Sequence, residues 1–165
     1  MSHGYQQTQG PWGGCVWGEH GWFSFCDGLT TGIKGLKIKS TSRNLWFLSV
    51  EYNACGQSFQ SVPHGEPPPY VKDLQEDEIK FYVPYEYLQQ IEGFIGTAHG
   101  WEMESGEKLV CVTSLTFKSN IKTYGPYGNP GRGTRFKSGI GKIMGFWGRS
   151  CCALDQIGGF ITNIR

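Results

Sequence analysis

The residues able to do chemistry in this chain are six cysteines, four histidines and a scatter of carboxylates, and their spacing excludes more than it supports. Cys15, Cys26, Cys55, Cys111, Cys151 and Cys152 contain no Cys-x-x-Cys pair, the spacing of a zinc ribbon or a thioredoxin-like centre. An even set suits an oxidised protein, with many pairings open. Cys111, in the apolar run Leu109-Val110-Cys111-Val112, reads instead as a buried thiol. His3, His20, His64 and His99 lack the H-E-x-x-H spacing, and no G-x-S-x-G elbow occurs, so an enzyme is not expected. The acidic stretch Asp73 to Glu78 lacks the spacing of a calcium loop, and neither metal nor cofactor is expected. Arg132, Arg135, Lys137 and Lys142 read as a solvated basic face, with attraction to sulfated glycans as the alternative.

The elements that must position any site are strands. With 25 glycines in 165 residues the composition is hostile to helices, while 15% aromatic content is enough to build a core. Leu36-Lys37-Ile38-Lys39 alternates as a half-buried strand does, and Leu45 to Tyr52 follows, ending at the hairpin signal Asn53-Ala54-Cys55-Gly56. Pro67-Pro68-Pro69 must lie outside any central strand. Further strands are expected at Ile79 to Val83, Gln90 to Ile95, Leu109 to Lys118, Lys142 to Trp147 and Ile157 to Ile164, with a turn at Gly125 to Pro130. Asp73 to Glu78 is the one stretch able to start a helix, and it is too short and acidic to hold one alone. Short strands with glycine turns describe a single all-β domain, a sandwich, barrel or prism. A net charge of +1 gives no drive toward nucleic acid, and no apolar run is long enough for membrane insertion by a helix. The first residues show no signal-peptide pattern, which leaves a cytoplasmic protein open, whereas the cysteine count favours a secreted one.

Five short segments then stand in one order: Gly10-Pro11-Trp12-Gly13-Gly14, Val112 to Asn120, Thr123 to Gly128 with Gly133-Thr134-Arg135-Phe136, Ile143 to Ser150, and Leu154 to Gly158. This order resembles the jacalin-related lectins over nearly the whole chain, residues 10–165, behind an N-terminal extension of residues 1–9. The resemblance implies a β-prism of three four-stranded Greek-key sheets with pseudo-threefold symmetry. It also implies carbohydrate binding without catalysis or metal, through the first strand-connecting loop and a late Gly-x-x-x-Asp loop. As no chain cleavage is evident, it implies the single-chain type that takes mannose or glucose. Partners would then be mono- or oligosaccharides and glycoprotein glycans, bound by a homo-oligomer such as a dimer for avidity.

Carried onto this chain, the late loop is Cys151-Cys152-Ala153-Leu154-Asp155. Asp155 would accept from two sugar hydroxyls while the N–H groups of Cys152 and Ala153 donate in return. The first loop would supply Gly14 and a donor near Gly21 or Trp22. His99 and His20 would add polar contacts, and Trp17, Trp22 and Trp101 a stacking surface. Cys151 stands where the family has glycine, and the first loop also carries Cys15 and Cys26. A disulfide from Cys15 or Cys26 to Cys151 or Cys152 would staple the two loops. The alternative function is a structural or matrix β-prism that has lost sugar binding.

Overall fold

The structure, a computed structural model, describes residues 6–14, 24–28, 30–102, 108–150 and 153–163. These residues form strands joined by turns, with no helix among them. In chain order the strands are β1 (Gln6–Gly13), β2 (Ser24–Cys26), β3 (Gly32–Ser40), β4 (Leu45–Ala54), β5 (Gln57–Gln60) and β6 (Gln75–Lys80). Then come β7 (Leu88–Glu102), β8 (Lys108–Ser119), β9 (Thr123–Gly128), β10 (Thr134–Lys137), β11 (Lys142–Ser150) and β12 (Leu154–Thr162).

They make three four-stranded sheets, ordered β5-β4-β3-β6, β10-β7-β8-β9 and β1-β12-β11-β2. In the first two sheets, three hairpin-linked strands are followed by a fourth that returns beside the first, which is a Greek key. The third sheet has the same order when β11 and β12 are continued by β1 and β2. It is one Greek key assembled from the two ends of the chain. The expected architecture of three Greek keys is therefore present, and β3, β7 and β11 are equivalent, as are β4, β8 and β12.

The register makes this equivalence quantitative. Lys39 pairs with Phe47 and Ser40 with Leu45, so Trp46 is left as a bulge. Phe94 pairs with Ser114 and Ile95 with Val112, leaving Thr113. Arg149 pairs with Gln156 and Ser150 with Leu154, leaving Asp155. Three hairpins thus bulge at one matching position near the same end of the prism, and the three bulged residues are chemically different.

Inward-facing residues of all three sheets meet in one core. Leu36, Ile38, Leu48 and Val50 come from one sheet, Ile91, Val112, Leu115 and Phe117 from the next, and Ile143, Phe146, Ile157 and Ile161 from the third. Trp12 of β1 stacks on Phe136 of β10 at 5.1 Å between centroids, closing two sheets against each other.

Two strand assignments differ from the sequence expectation. The strand expected at Ile79 to Val83 is β6, which lies earlier and takes in most of the acidic stretch able to start a helix. Pairing with the lysines of β3 decides this: Glu76 faces Lys39 and Glu78 faces Lys37, with a Lys39–Glu76 ion pair at 3.5 Å. The segment expected as a turn from Gly125 is mostly β9. It contains Pro126 but lies at a sheet edge, where a missing N–H forfeits no ladder bond.

Candidate functional site

Asp155 is the second residue of β12, and the bulge turns its side chain away from the regular pleat. Its main chain is fixed from β1. The Gly14 N–H donates to the Asp155 carbonyl at 3.2 Å, and Gly13 pairs with Gln156. Gly13 has φ +133°, and a Cβ there would stand 2.1 Å from the Asp155 carbonyl oxygen, so no other residue fits without moving the bulge. On the far side Gly14 lies against Val110 of β8, so Asp155 sits where β12, β1 and β8 converge.

The same construction occurs three times. Gly65 approaches the Trp46 carbonyl, and Gly128 the Thr113 carbonyl, as Gly13 approaches that of Asp155. The side chains then diverge. The Trp46 indole N–H donates to the Thr41 hydroxyl at 3.2 Å, and the Thr113 hydroxyl donates to the Phe94 carbonyl at 3.3 Å. Asp155 is 7% exposed, and its Oδ1 has no hydrogen-bond partner among the described residues. A carboxyl taken out of water is costly to ionise, and burial pushes its pKa from the usual 3.8 up to about 7. The Cys111 thiol is pushed up to about 12, first by its own burial and then by the charge of Asp155. One bulge in three therefore carries an acceptor whose demand the described residues leave unmet.

The β11–β12 turn that carries Asp155 is braced from the adjacent sheet. Ala153 is 3% exposed, and its carbonyl carbon lies 3.2 Å from where a Cβ on Gly65 would be. Gly65 is held in turn by its neighbour His64, whose main chain exchanges two hydrogen bonds with Leu48, at 2.8 and 3.0 Å. The His64 ring is fully buried and stacks on Phe25, with Nε2 at 2.9 and 3.1 Å from the two Asp27 oxygens. Tyr52 donates its hydroxyl to the same carboxylate and accepts from the Phe146 N–H at 3.2 Å. Burial, and then the Asp27 charge, push the Tyr52 phenol far above its ordinary pKa, so it stays a donor. Sequence reasoning missed this Asp27–His64–Tyr52 cluster, since the three residues are remote in the chain.

Beside the brace an open cleft of about 530 Å³ is lined by Phe25, Lys39, Phe47, Gly65, Glu66 and Ser150. The Lys39 ammonium lies over the Phe47 ring at 4.7 Å. Asp155 is not part of this lining.

Of the residues named from sequence, Asp155, Ala153 and Gly14 are therefore assembled at one end of the prism. His99 and Trp101 lie on the outer part of β7, which runs on to pair Glu102 with Lys108. Their side chains, and Cys15, Trp17, His20, Gly21, Trp22, Cys151 and Cys152, lie outside the described residues. The expected staple needs one correction. Cys26 carries a free thiol, because it sits on the exposed side of β2, opposite in alternation to the inward Phe25. Cys55, at φ 50° in the β4–β5 turn, and Cys111, fully buried, are free thiols as well.

Three four-stranded Greek-key sheets around one core define a β-prism of the kind found in lectins. The Jacalin-like lectin domain matches residues 9–160, and the chain belongs to that family. It is 34% identical over 151 residues to Jacalin-related lectin 3 of Arabidopsis thaliana, covering 90% of this chain but only 23% of that protein. It thus spans about a quarter of that relative's length. A galactose-specific lectin of Morus indica is 33% identical over 138 residues, with 82% of this chain and 80% of the relative covered. In structure, a mannose-specific jacalin-related lectin from Morus nigra in complex with mannose superposes with a TM-score of 0.79 at 33% identity, covering 98% of this chain and 96% of that one. Relatives of opposite sugar preference are thus equally similar, and overall identity does not choose between them.

Proposed function

We propose that this chain is a carbohydrate-binding lectin that takes mannose- or glucose-containing glycans at the Asp155 end of the prism, without a metal ion. The observation that carries the reading is the contrast among the three bulges. Trp46 and Thr113 satisfy their own polar groups, whereas Asp155 has a buried carboxyl oxygen with no partner among the described residues. A sugar supplies what is lacking, because two neighbouring hydroxyls donate to one carboxylate in charge-assisted bonds. The mannose/glucose preference rests on the family resemblance with no chain cleavage evident, and the mannose-bound relative from Morus nigra supports it. Cys152 and Ala153 are proposed as the backbone donors, with the loop residues around Gly21 and Trp22 and the β7 residues His99 and Trp101 around them.

With one such site per chain, tight capture of a multivalent glycan calls for a homodimer or larger assembly. Titration calorimetry with the methyl glycosides of mannose, glucose and galactose tests the preference. Heat is expected with the first two, unchanged by EDTA, and little with galactose. Binding to galactose alone would reverse the preference. Binding to none of the three, by a chain with an intact circular dichroism spectrum, would favour a prism that serves a structural role.

A further inference from the structure

The three-fold repetition exposes a segment that the fold does not need. In each Greek key the third strand must cross to the fourth. From β9 to β10 the chain does this in five residues, 129–133, whereas from β5 to β6 it uses fourteen, 61–74. The surplus contains Glu66-Pro67-Pro68-Pro69-Tyr70-Val71. Three prolines in succession hold φ near the polyproline II value, so the prolines are restricted before any partner arrives and lose little entropy on binding. Pro67 and Pro68 are half-buried against the fold and Pro69 is exposed. The Val71 N–H then donates to the Pro68 carbonyl at 3.0 Å, and this turn projects Tyr70, which is 69% exposed. An aromatic ring this open contributes nothing to the core, and the prolines pair with no strand.

We propose that Pro67–Tyr70 is a docking segment for a WW-type domain, a small sheet whose aromatic groove clasps polyproline II prolines while a neighbouring pocket takes a tyrosine. The spacing selects this partner chemistry. Grooves that read Pro-x-x-Pro need a proline three residues after Pro67, and that position is Tyr70. Pro-Pro-x-Tyr is the pattern that a proline slot with an adjoining tyrosine pocket reads. The site is distinct from Asp155 and does not depend on sugar binding, so the same chain would join a glycan to a second protein.

The test is fluorescence anisotropy of a dye-labelled, purified WW domain of the Pro-Pro-x-Tyr-binding class, titrated with the full folded chain. Saturable binding is expected, weakened about tenfold or more by Tyr70→Ala and by Pro68→Ala. Asp155→Asn and an excess of methyl α-mannoside are expected to leave it unchanged. Circular dichroism checks that each variant is folded, and Tyr70→Ala, altering an exposed side chain, stands as the decisive variant should Pro68→Ala unfold. No binding by the unaltered chain, or equal binding by the Tyr70→Ala chain, would overturn the proposal.

Discussion

Asp155 works against the stability of the empty protein, and the direction of that effect follows from its titration. Burial raises its pKa from 3.8 to about 7, so the folded chain holds this proton more tightly than the unfolded chain does. Its contribution therefore favours folding at low pH and is lost as pH rises from about 4 through about 7. Replacing the carboxyl with an amide removes the penalty. Asp155→Asn is expected to stabilise the sugar-free protein at pH 8, on the order of 2 kcal/mol, and to change it little at pH 4, as read by urea unfolding at the two pH values. Sugar hydroxyls donate best to the ionised form, so affinity is expected to climb as pH passes through about 7. A variant equally stable at both pH values would show that Asp155 titrates normally.

At the scale of elements, the bulge and the glycine packed on it form the unit that is repeated. Gly13 and Gly128 do the same structural job, each accepting positive φ to approach a bulged carbonyl, at 2.1 and 2.2 Å from a Cβ position. Gly13→Ala and Gly128→Ala are both expected to cost about 3 kcal/mol in urea unfolding, from backbone strain and overpacking. Only Gly13→Ala is expected to weaken sugar binding as well, because only its bulge carries the carboxylate. Equal loss of binding in both would mean that the Asp155 and Thr113 bulges are not independent. Part of this was legible in the sequence. Alternation in Leu36–Lys39 and the apolar run of Leu109–Lys118 mark strands, and Asp155 follows from the order of family segments. What was hidden depends on neighbours distant in the chain. The strand character of Gln75–Lys80 comes from lysines about forty residues earlier, the spacing along β3 and β6. The brace behind Ala153 joins Asp27, Tyr52 and His64, which no local pattern links. Cys26 looked like a partner for the late loop because of its place in the sequence, but the alternation of a three-residue strand directs it outward.

For the whole molecule, a symmetric scaffold carries chemically different residues at its three equivalent bulges. Three equivalent turns are offered, one ends in an indole, one in a hydroxyl and one in a carboxylate, and among the described residues only the last has an oxygen without a partner. The indole and the hydroxyl are taken up by local hydrogen bonds, to the Thr41 hydroxyl and the Phe94 carbonyl. On the proposed reading the chain is monovalent for sugar. A calorimetric titration of the unaltered chain and of Asp155→Asn with methyl α-mannoside at pH 8 tests this most directly. The account predicts one sugar per chain for the former and no measurable heat for the latter, with both proteins folded. Undiminished binding by Asp155→Asn, or two or three sugars per chain, would contradict it.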